Sequence, residues 1–166
     1  MQENVILVDV LDNAIGVMEK MEAHEKGMLH RAFSVFIFNN KGEILLQQRA
    51  LTKYHSAGLW TNTCCSHPRP NENTLDAANR RLMEEMGIKC ELKHQSQFIY
   101  KTNFDNGLIE HEFDHVYFGT SNNNPVINKE EVESYSWVDV KNLIADIKTN
   151  PNKYTSWFKI AMEKLF

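Results

Sequence analysis

Two adjacent cysteines, Cys64 and Cys65, stand just before His67, and later in the chain two glutamates flank a histidine in the run Glu110, His111, Glu112. Thiols, imidazoles and carboxylates are the side chains that hold metal ions or exchange protons, so these two runs are the first places to look for chemistry. Neighbouring residues of an extended chain point to opposite sides, which lets only one of Cys64 and Cys65 face a given ligand. The same alternation sends Glu110 and Glu112 of a strand to one face and His111 to the other, so both carboxylates can reach one cation. Plainer readings exist for each group. Both cysteines suit burial as small hydrophobes, and zinc chelation by Cys64, Cys65 and His67 lacks a second cysteine pair at finger spacing. Arg81 and Glu85 lie one helical turn apart, the spacing of a surface ion pair worth roughly a few tenths of a kcal/mol. A single histidine is ordinarily a surface or satisfied core residue, and His55, His94, His111 and His115 keep that reading.

Elements must hold these groups in place. Phe33 to Phe38 and Glu43 to Gln48 are β-rich runs joined by Asn39, Asn40, Lys41 and Gly42, the chemistry of a hairpin turn. From Thr74 to Met86 the apolar Leu75, Ala78, Leu82 and Met86 recur at helical steps, with Gly87 placed to end the helix. Strands are expected at Ile88 to Leu92, Ser96 to Thr102, Glu112 to Gly119 and Tyr135 to Val138, then two helices over Val140 to Phe166 broken near Pro151. Strands and helices mixed in this way predict an α+β fold of mixed or antiparallel sheet flanked by helices.

The 166 residues suit one domain, 1–166, with a core that needs no disulfide. A net charge of -4 supplies no global basic field, so nucleic acid is not expected and an anionic ligand needs a local cluster of Lys and Arg. Met1 to Val10 lacks the pattern of a signal peptide, no run is long enough to span a bilayer, and three cysteines make a poor disulfide framework. A cytoplasmic protein without a membrane partner is expected.

The stretch Ser66 to Ile88 resembles the Nudix box, with Glu72, Arg80, Leu82, Glu84, Glu85, Gly87 and Ile88 at their positions. Ser66 replaces the box's glycine and Arg81 a usual glutamate, which argues against plain hydrolase chemistry. Other segments narrow the resemblance to the type I isopentenyl-diphosphate isomerases of the Nudix superfamily. They are Gly27 to Ser34; Leu46 to Arg49; Thr61, Asn62, Thr63, Cys64, Cys65, Ser66, His67 and Pro68; Glu110 to Glu112; and Trp157 with Phe158. Agreement in order and spacing over nearly the whole chain is stronger than any one short motif.

The resemblance implies conversion of isopentenyl diphosphate to dimethylallyl diphosphate in isoprenoid biosynthesis, by protonation and deprotonation without a redox cofactor. It implies His24, His30, His67, Glu110 and Glu112 as ligands of one divalent ion, a mixed N/O set suited to Mn, Fe, Zn or Mg. Cys65, aligned by the Cys-Ser-His run, and Glu112 with Tyr100 as relay are its implied proton carriers on opposite substrate faces. Trp157 is the aromatic group for a carbocation, while core packing is the better reading of Trp60. Lys20, Arg49, Lys53 and Arg81 match positions around the diphosphate, Glu85 is implied to meet a Mg ion bridging to it, and Glu84 is expected to face solvent. Two rival readings share the fold: a Nudix hydrolase of a nucleoside diphosphate or related phosphoanhydride, and a noncatalytic Nudix-like binding domain.

Overall fold

Strand β3 (His30–Phe38) is almost entirely buried and organises the molecule. A strand covered on both faces carries a nearly continuous apolar run, as Ala32, Phe33, Val35, Phe36 and Ile37 supply here. The computed structural model describes residues 3–166, so Met1 and Gln2 of the Met1 to Val10 stretch lie outside the described residues. β1 (Asn4–Val8) meets β3 at Leu7↔His30, with β2 (Ala14–Glu19) antiparallel beyond it. β4 (Glu43–Arg49) follows β3 through the turn, where Asn39 Oδ1 accepts from the Lys41 and Glu43 amides and Gly42 takes φ +76°. β4 in turn pairs with β5 (Trp60–Thr61) and β9 (Val132–Asp139), and β6 (Cys64–Ser66) pairs with β3.

β8 (Ile109–Thr120) runs parallel to β3 from His30↔Glu112 to Phe38↔Thr120 and antiparallel to β7 (Lys93–Asn103). The sheet is therefore mixed, in agreement with the expected α+β class. Its hairpin and the strands at β7, β8 and β9 contain the runs anticipated from sequence.

Helix α2 (Thr74–Met86) coincides with the expected helix. Asn73 caps it by accepting from the Leu75 and Asp76 amides, and Gly87 ends it in the left-handed region at φ +63°. Val126 and Asn128 donate their amides to the last carbonyls, at Met86 and Glu85. Its inner face, with Ala77, Ala78, Leu82 and Met86, packs against Phe33, Val35 and Leu45. A second cluster joins Phe36, Ile44 and Val116 to Leu143 of α3 (Val140–Thr149) and Phe158 of α4 (Ser156–Leu165). A short 3-10 turn, Pro151–Lys153, separates these two helices, where the break near Pro151 was anticipated. Trp60 is among the partly buried hydrophobics against this cluster, as expected.

One expected strand is absent. Ile88 to Leu92 is irregular chain: Ile88 and Leu92 are buried against the α2 cluster without joining the sheet. Apolar burial there serves packing over Gly119, where an added Cβ would lie 2.9 Å from Leu92 and 3.0 Å from Cys90 Sγ. The short helix α1 (Lys20–Lys26), closed by Gly27 at φ +67°, carries His24 towards the sheet.

Candidate active site

The sheet register sets three functional side chains in one row. His30 on β3 lies opposite Glu112 on β8, and Glu112 lies opposite Tyr100 on β7. Side chains directly across neighbouring strands share a face, so imidazole, carboxylate and phenol meet. Glu112 Oε2 lies 3.1 Å from His30 Nε2 and 2.6 Å from His67 Nε2, while its Oε1 accepts from the Tyr100 hydroxyl. Glu110, two residues along, reaches the same face; its Oε1 lies 2.9 Å from His24 Nε2. His111 turns away, its Nδ1 on the Gly27 carbonyl.

His24, His30, His67, Glu110 and Glu112 each offer a donor atom, all within 4.8 Å of one another. Four of the five are buried. His24 Nδ1 donates to the Lys20 carbonyl at 2.6 Å and His30 Nδ1 to the Met28 carbonyl at 2.8 Å. A carbonyl can only accept, so in the neutral rings the Nε2 lone pairs point inward at carboxylate oxygens. Lone pairs facing anions call for a cation between them, and Glu110 Oε2 is buried without a partner. The donor set fits a divalent metal ion.

Burial opposes ionisation of Glu112, but the His67 and His30 imidazoles outweigh it and hold the carboxyl well below the usual carboxylate range. Burial, reinforced by Glu112 and Glu110, pushes the Tyr100 phenol well above its ordinary value. Tyr100 therefore remains a hydroxyl donor.

The cysteines separate as alternation requires. β5 and β6 are too short to fix the intervening loop by their own ladders, and its polar side chains fasten it. Thr63 Oγ1 accepts from the Ile37 amide at 2.9 Å and donates to the Leu45 carbonyl at 2.6 Å. Asn62 Nδ2 donates to the Val35 and Cys64 carbonyls, which turns its Oδ1 to accept from Cys65 Sγ at 2.9 Å. Burial, then Asp114, raises the Cys65 thiol to about 12, so it stays protonated near neutrality. Cys64 is wholly buried and donates to Glu85 Oε2 at 2.9 Å.

Cys65, Tyr100, Glu110, Glu112 and Trp157 line one cavity, whose walls also carry Lys20, Arg49, Lys53 and Arg81. The Arg49 guanidinium lies 5.1 Å from the Trp157 ring centre, so this ring already faces one cation. The other three cations pair with acids. Lys20 Nζ lies 2.7 Å from Glu3, and Arg81 lies 2.6 Å from both Glu84 and Glu131. Lys53 Nζ is 3.7 Å from Glu131. Glu84 is exposed, as expected.

Two readings from sequence need correction. Arg81 and Glu85 do approach to 3.4 Å, but Glu85 is only 4% exposed and is held by Cys64 as well, so the contact is not a surface ion pair. Glu85 also lies outside the five-residue cluster, although it lines the same cavity. His55 is neither a surface residue nor a satisfied core one. It is buried on the cavity wall, with Nε2 3.0 Å from Glu110 Oε1 and Nδ1 unpartnered. Tyr54 and Glu131 were also missed among the lining residues; they stand in irregular loop, where no periodicity marks a side chain.

Residues 28–158 match the NUDIX domain family. A protein of Photorhabdus laumondii named isopentenyl-diphosphate Delta-isomerase 2 is 56% identical over 159 residues, covering 96% of this chain and 90% of that one. One of Aromatoleum aromaticum with the same name is 52% identical over 165 residues, covering 99% and 87%. A solved structure, DR0079 of Deinococcus radiodurans, superposes with a TM-score of 0.81 over 99% of this chain and all of that one; at 17% identity it speaks for the fold alone. The chain belongs to the Nudix family and, within it, to the isopentenyl-diphosphate Delta-isomerases.

Proposed function

We propose that this isopentenyl-diphosphate isomerase shifts its substrate's double bond with Cys65 and Glu112 as two opposed proton carriers. The observation that carries the reading is that both groups line one cavity with Tyr100 and Trp157. One proton is added to the terminal alkene carbon and another leaves the carbon beyond the branch, so an acid and a base must bracket the five-carbon chain. The Cys65 thiol, hydrogen-bonded to Asn62, holds a proton at one side. Glu112 holds or releases one at the other, with Tyr100 as its relay. Their roles exchange when the reaction runs backwards.

A tertiary carbocation formed by alkene protonation is captured by water unless the site is closed around it. Trp157, 6% exposed, forms part of that wall, and its ring contributes about 0.5–2 kcal/mol towards a desolvated cation. Lys20, Arg49, Lys53 and Arg81 are the proposed diphosphate clamp, Arg as a planar fork and Lys as a mobile charge.

His24, His30, His67, Glu110 and Glu112 are the proposed ligands of one ion, Mn, Mg or Zn, and Glu85 is proposed to meet Mg carried with the diphosphate. When bound, the ion orders the cluster and withdraws charge from Glu112. We assign the chain to a single domain, 1–166, acting in isoprenoid biosynthesis in the cytoplasm on a small isoprenoid diphosphate, without a nucleic-acid or membrane partner. No helix among the described residues is long and apolar enough to cross a membrane.

The test incubates the purified protein and a divalent ion with isopentenyl diphosphate, separating the isomers by chromatography while a parallel assay follows phosphate. Accumulation of the allylic isomer without phosphate release supports the reading. Phosphate release without double-bond migration favours the hydrolase, and neither change favours the binding domain. Arg81 weighs against the hydrolase: it places a guanidinium, paired with Glu84 and Glu131, where the box ordinarily supplies a carboxylate.

A further inference from the structure

His55 joins the ion cluster to the aromatic wall of the cavity. Its Nε2 lies 3.0 Å from Glu110 Oε1, the oxygen that also faces His24. A carboxylate oxygen accepts only, so Nε2 carries the hydrogen; in the neutral ring Nδ1 is then a lone pair, and it is buried without a partner. An unsatisfied buried nitrogen carries a cost, and an isolated core position gives no reason to keep it.

The ring is held on several sides. Phe104 stacks on it at 4.6 Å with planes only 10° apart, and Tyr54 meets it edge-on at 4.4 Å. Trp157 meets it edge-on at 5.5 Å. The backbone closes the arrangement: Arg49 donates to the His55 carbonyl at 3.3 Å while its guanidinium lies over Trp157. His55 thus touches a proposed ligand, the proposed carbocation-facing ring and, through its carbonyl, a proposed diphosphate cation.

We propose that His55 is a positioning residue with two separable jobs: its N–H fixes Glu110 for the ion, and its ring fixes the plane of Trp157 against the substrate. The proposal rests on the functional reading above for the second job, and on the donor cluster alone for the first. A hydrogen-bond partner behind a ligand typically changes metal affinity about 10–100-fold when lost. Loss of the ring misplaces Trp157 only when charge develops beside it, so the second job is read in kcat rather than KM.

Three variants separate the jobs. His55→Ala removes both, His55→Gln keeps an amide N–H donor of similar reach, and His55→Phe keeps a flat ring without a donor. Ion affinity is measured on stripped protein by competition with a chelating indicator, and kcat and KM for isopentenyl diphosphate are measured at saturating ion. The expected result is ion affinity weakened about tenfold or more in His55→Ala and His55→Phe and restored in His55→Gln. With ion saturating, kcat falls in His55→Ala and His55→Gln, recovers in His55→Phe, and KM stays within about twofold.

Ion affinity in His55→Phe within twofold of the unsubstituted protein overturns the first job, and equal kcat in His55→Gln and the unsubstituted protein overturns the second. Should His55→Ala fail to fold, the Gln and Phe variants carry both comparisons. If the unsubstituted protein does not isomerise the substrate, the functional reading and the second job fall, while the affinity series still decides the first.

Discussion

Glu112 occupies two environments at once. One carboxylate oxygen faces His30 and His67 and the other takes the Tyr100 hydroxyl, so the same side chain can hold an ion and handle a proton. Cys65 has a simpler surrounding: its thiol donates to an amide oxygen, and burial, with Asp114 nearby, keeps its proton in place. A positioned acid or base contributes about 10²–10⁴-fold to rate, so Cys65→Ala is expected to lower kcat at least a hundredfold. Circular dichroism and ion content should be unchanged, and turnover near that of the unsubstituted protein refutes the assignment. Lys53 is expected to act on binding instead. A hydrogen bond to a charged group contributes about 1.5–3 kcal/mol, so Lys53→Ala should raise KM roughly tenfold or more with a smaller change in kcat. Steady-state kinetics decide that split. Cys64, by contrast, points into the α2 cluster and holds Glu85, which alternation along an extended chain had already separated from the role of Cys65.

The elements that position these side chains differ in how plainly the sequence announces them. α2 shows its periodicity and terminal glycine in the sequence; the structure keeps both, with Leu75 of the periodic set left exposed, and adds the Asn73 cap. Gly87 is indispensable on two grounds, its φ of +63° and the 2.8 Å separation an added Cβ would have from the Val126 carbonyl oxygen. Gly87→Ala is therefore expected to destabilise the protein by more than ~1 kcal/mol, measured by urea unfolding; unchanged stability contradicts that packing. Asp146 ties α3 to the following turn through Asn150 at 2.8 Å, Lys153 at 2.9 Å and the Tyr154 hydroxyl at 2.5 Å. Those contacts, Tyr154 first, lower its carboxyl from 3.8 to about 2. The folded state then binds fewer protons than the unfolded one between these values, so the contribution is present above about pH 4 and lost as pH falls through about 2. Asp146→Asn should differ in stability from the parent at pH 6 and converge with it near pH 2. What the sequence conceals is of another kind. Ile88 to Leu92 has the apolar content of a strand but spends it on the core beside Gly119, and local pattern cannot distinguish sheet from packed coil. α1 is a short helix whose identity depends on tertiary contact, and His55 sits in a loop where only the folded chain brings Glu110 to it.

At the scale of the whole molecule, a mixed sheet carries hydrophobic clusters with α2 and with α3 and α4, and a polar cavity draws on residues from nearly the full length of the chain, Glu3 to Trp157. The separated motifs and their meeting around one ion were legible only through the family resemblance, since no spacing rule relates His24 to Glu110. Ion binding at the proposed cluster of three imidazoles and two carboxylates would couple to folding. At a free concentration one hundred times its Kd, an ion adds about 2.7 kcal/mol, so chelation should lower Tm by roughly 5–10 °C and readdition should restore it. An unchanged Tm contradicts ion binding at this cluster. The central claim, that two opposed proton carriers move a double bond, is tested most directly by NMR of isopentenyl diphosphate turned over in deuterated water. Deuterium is expected in the new methyl group and, through reversal, at the carbon that loses a proton, with the diphosphate intact and the signal abolished in Cys65→Ala. Free phosphate appearing beside unlabelled carbon contradicts the account.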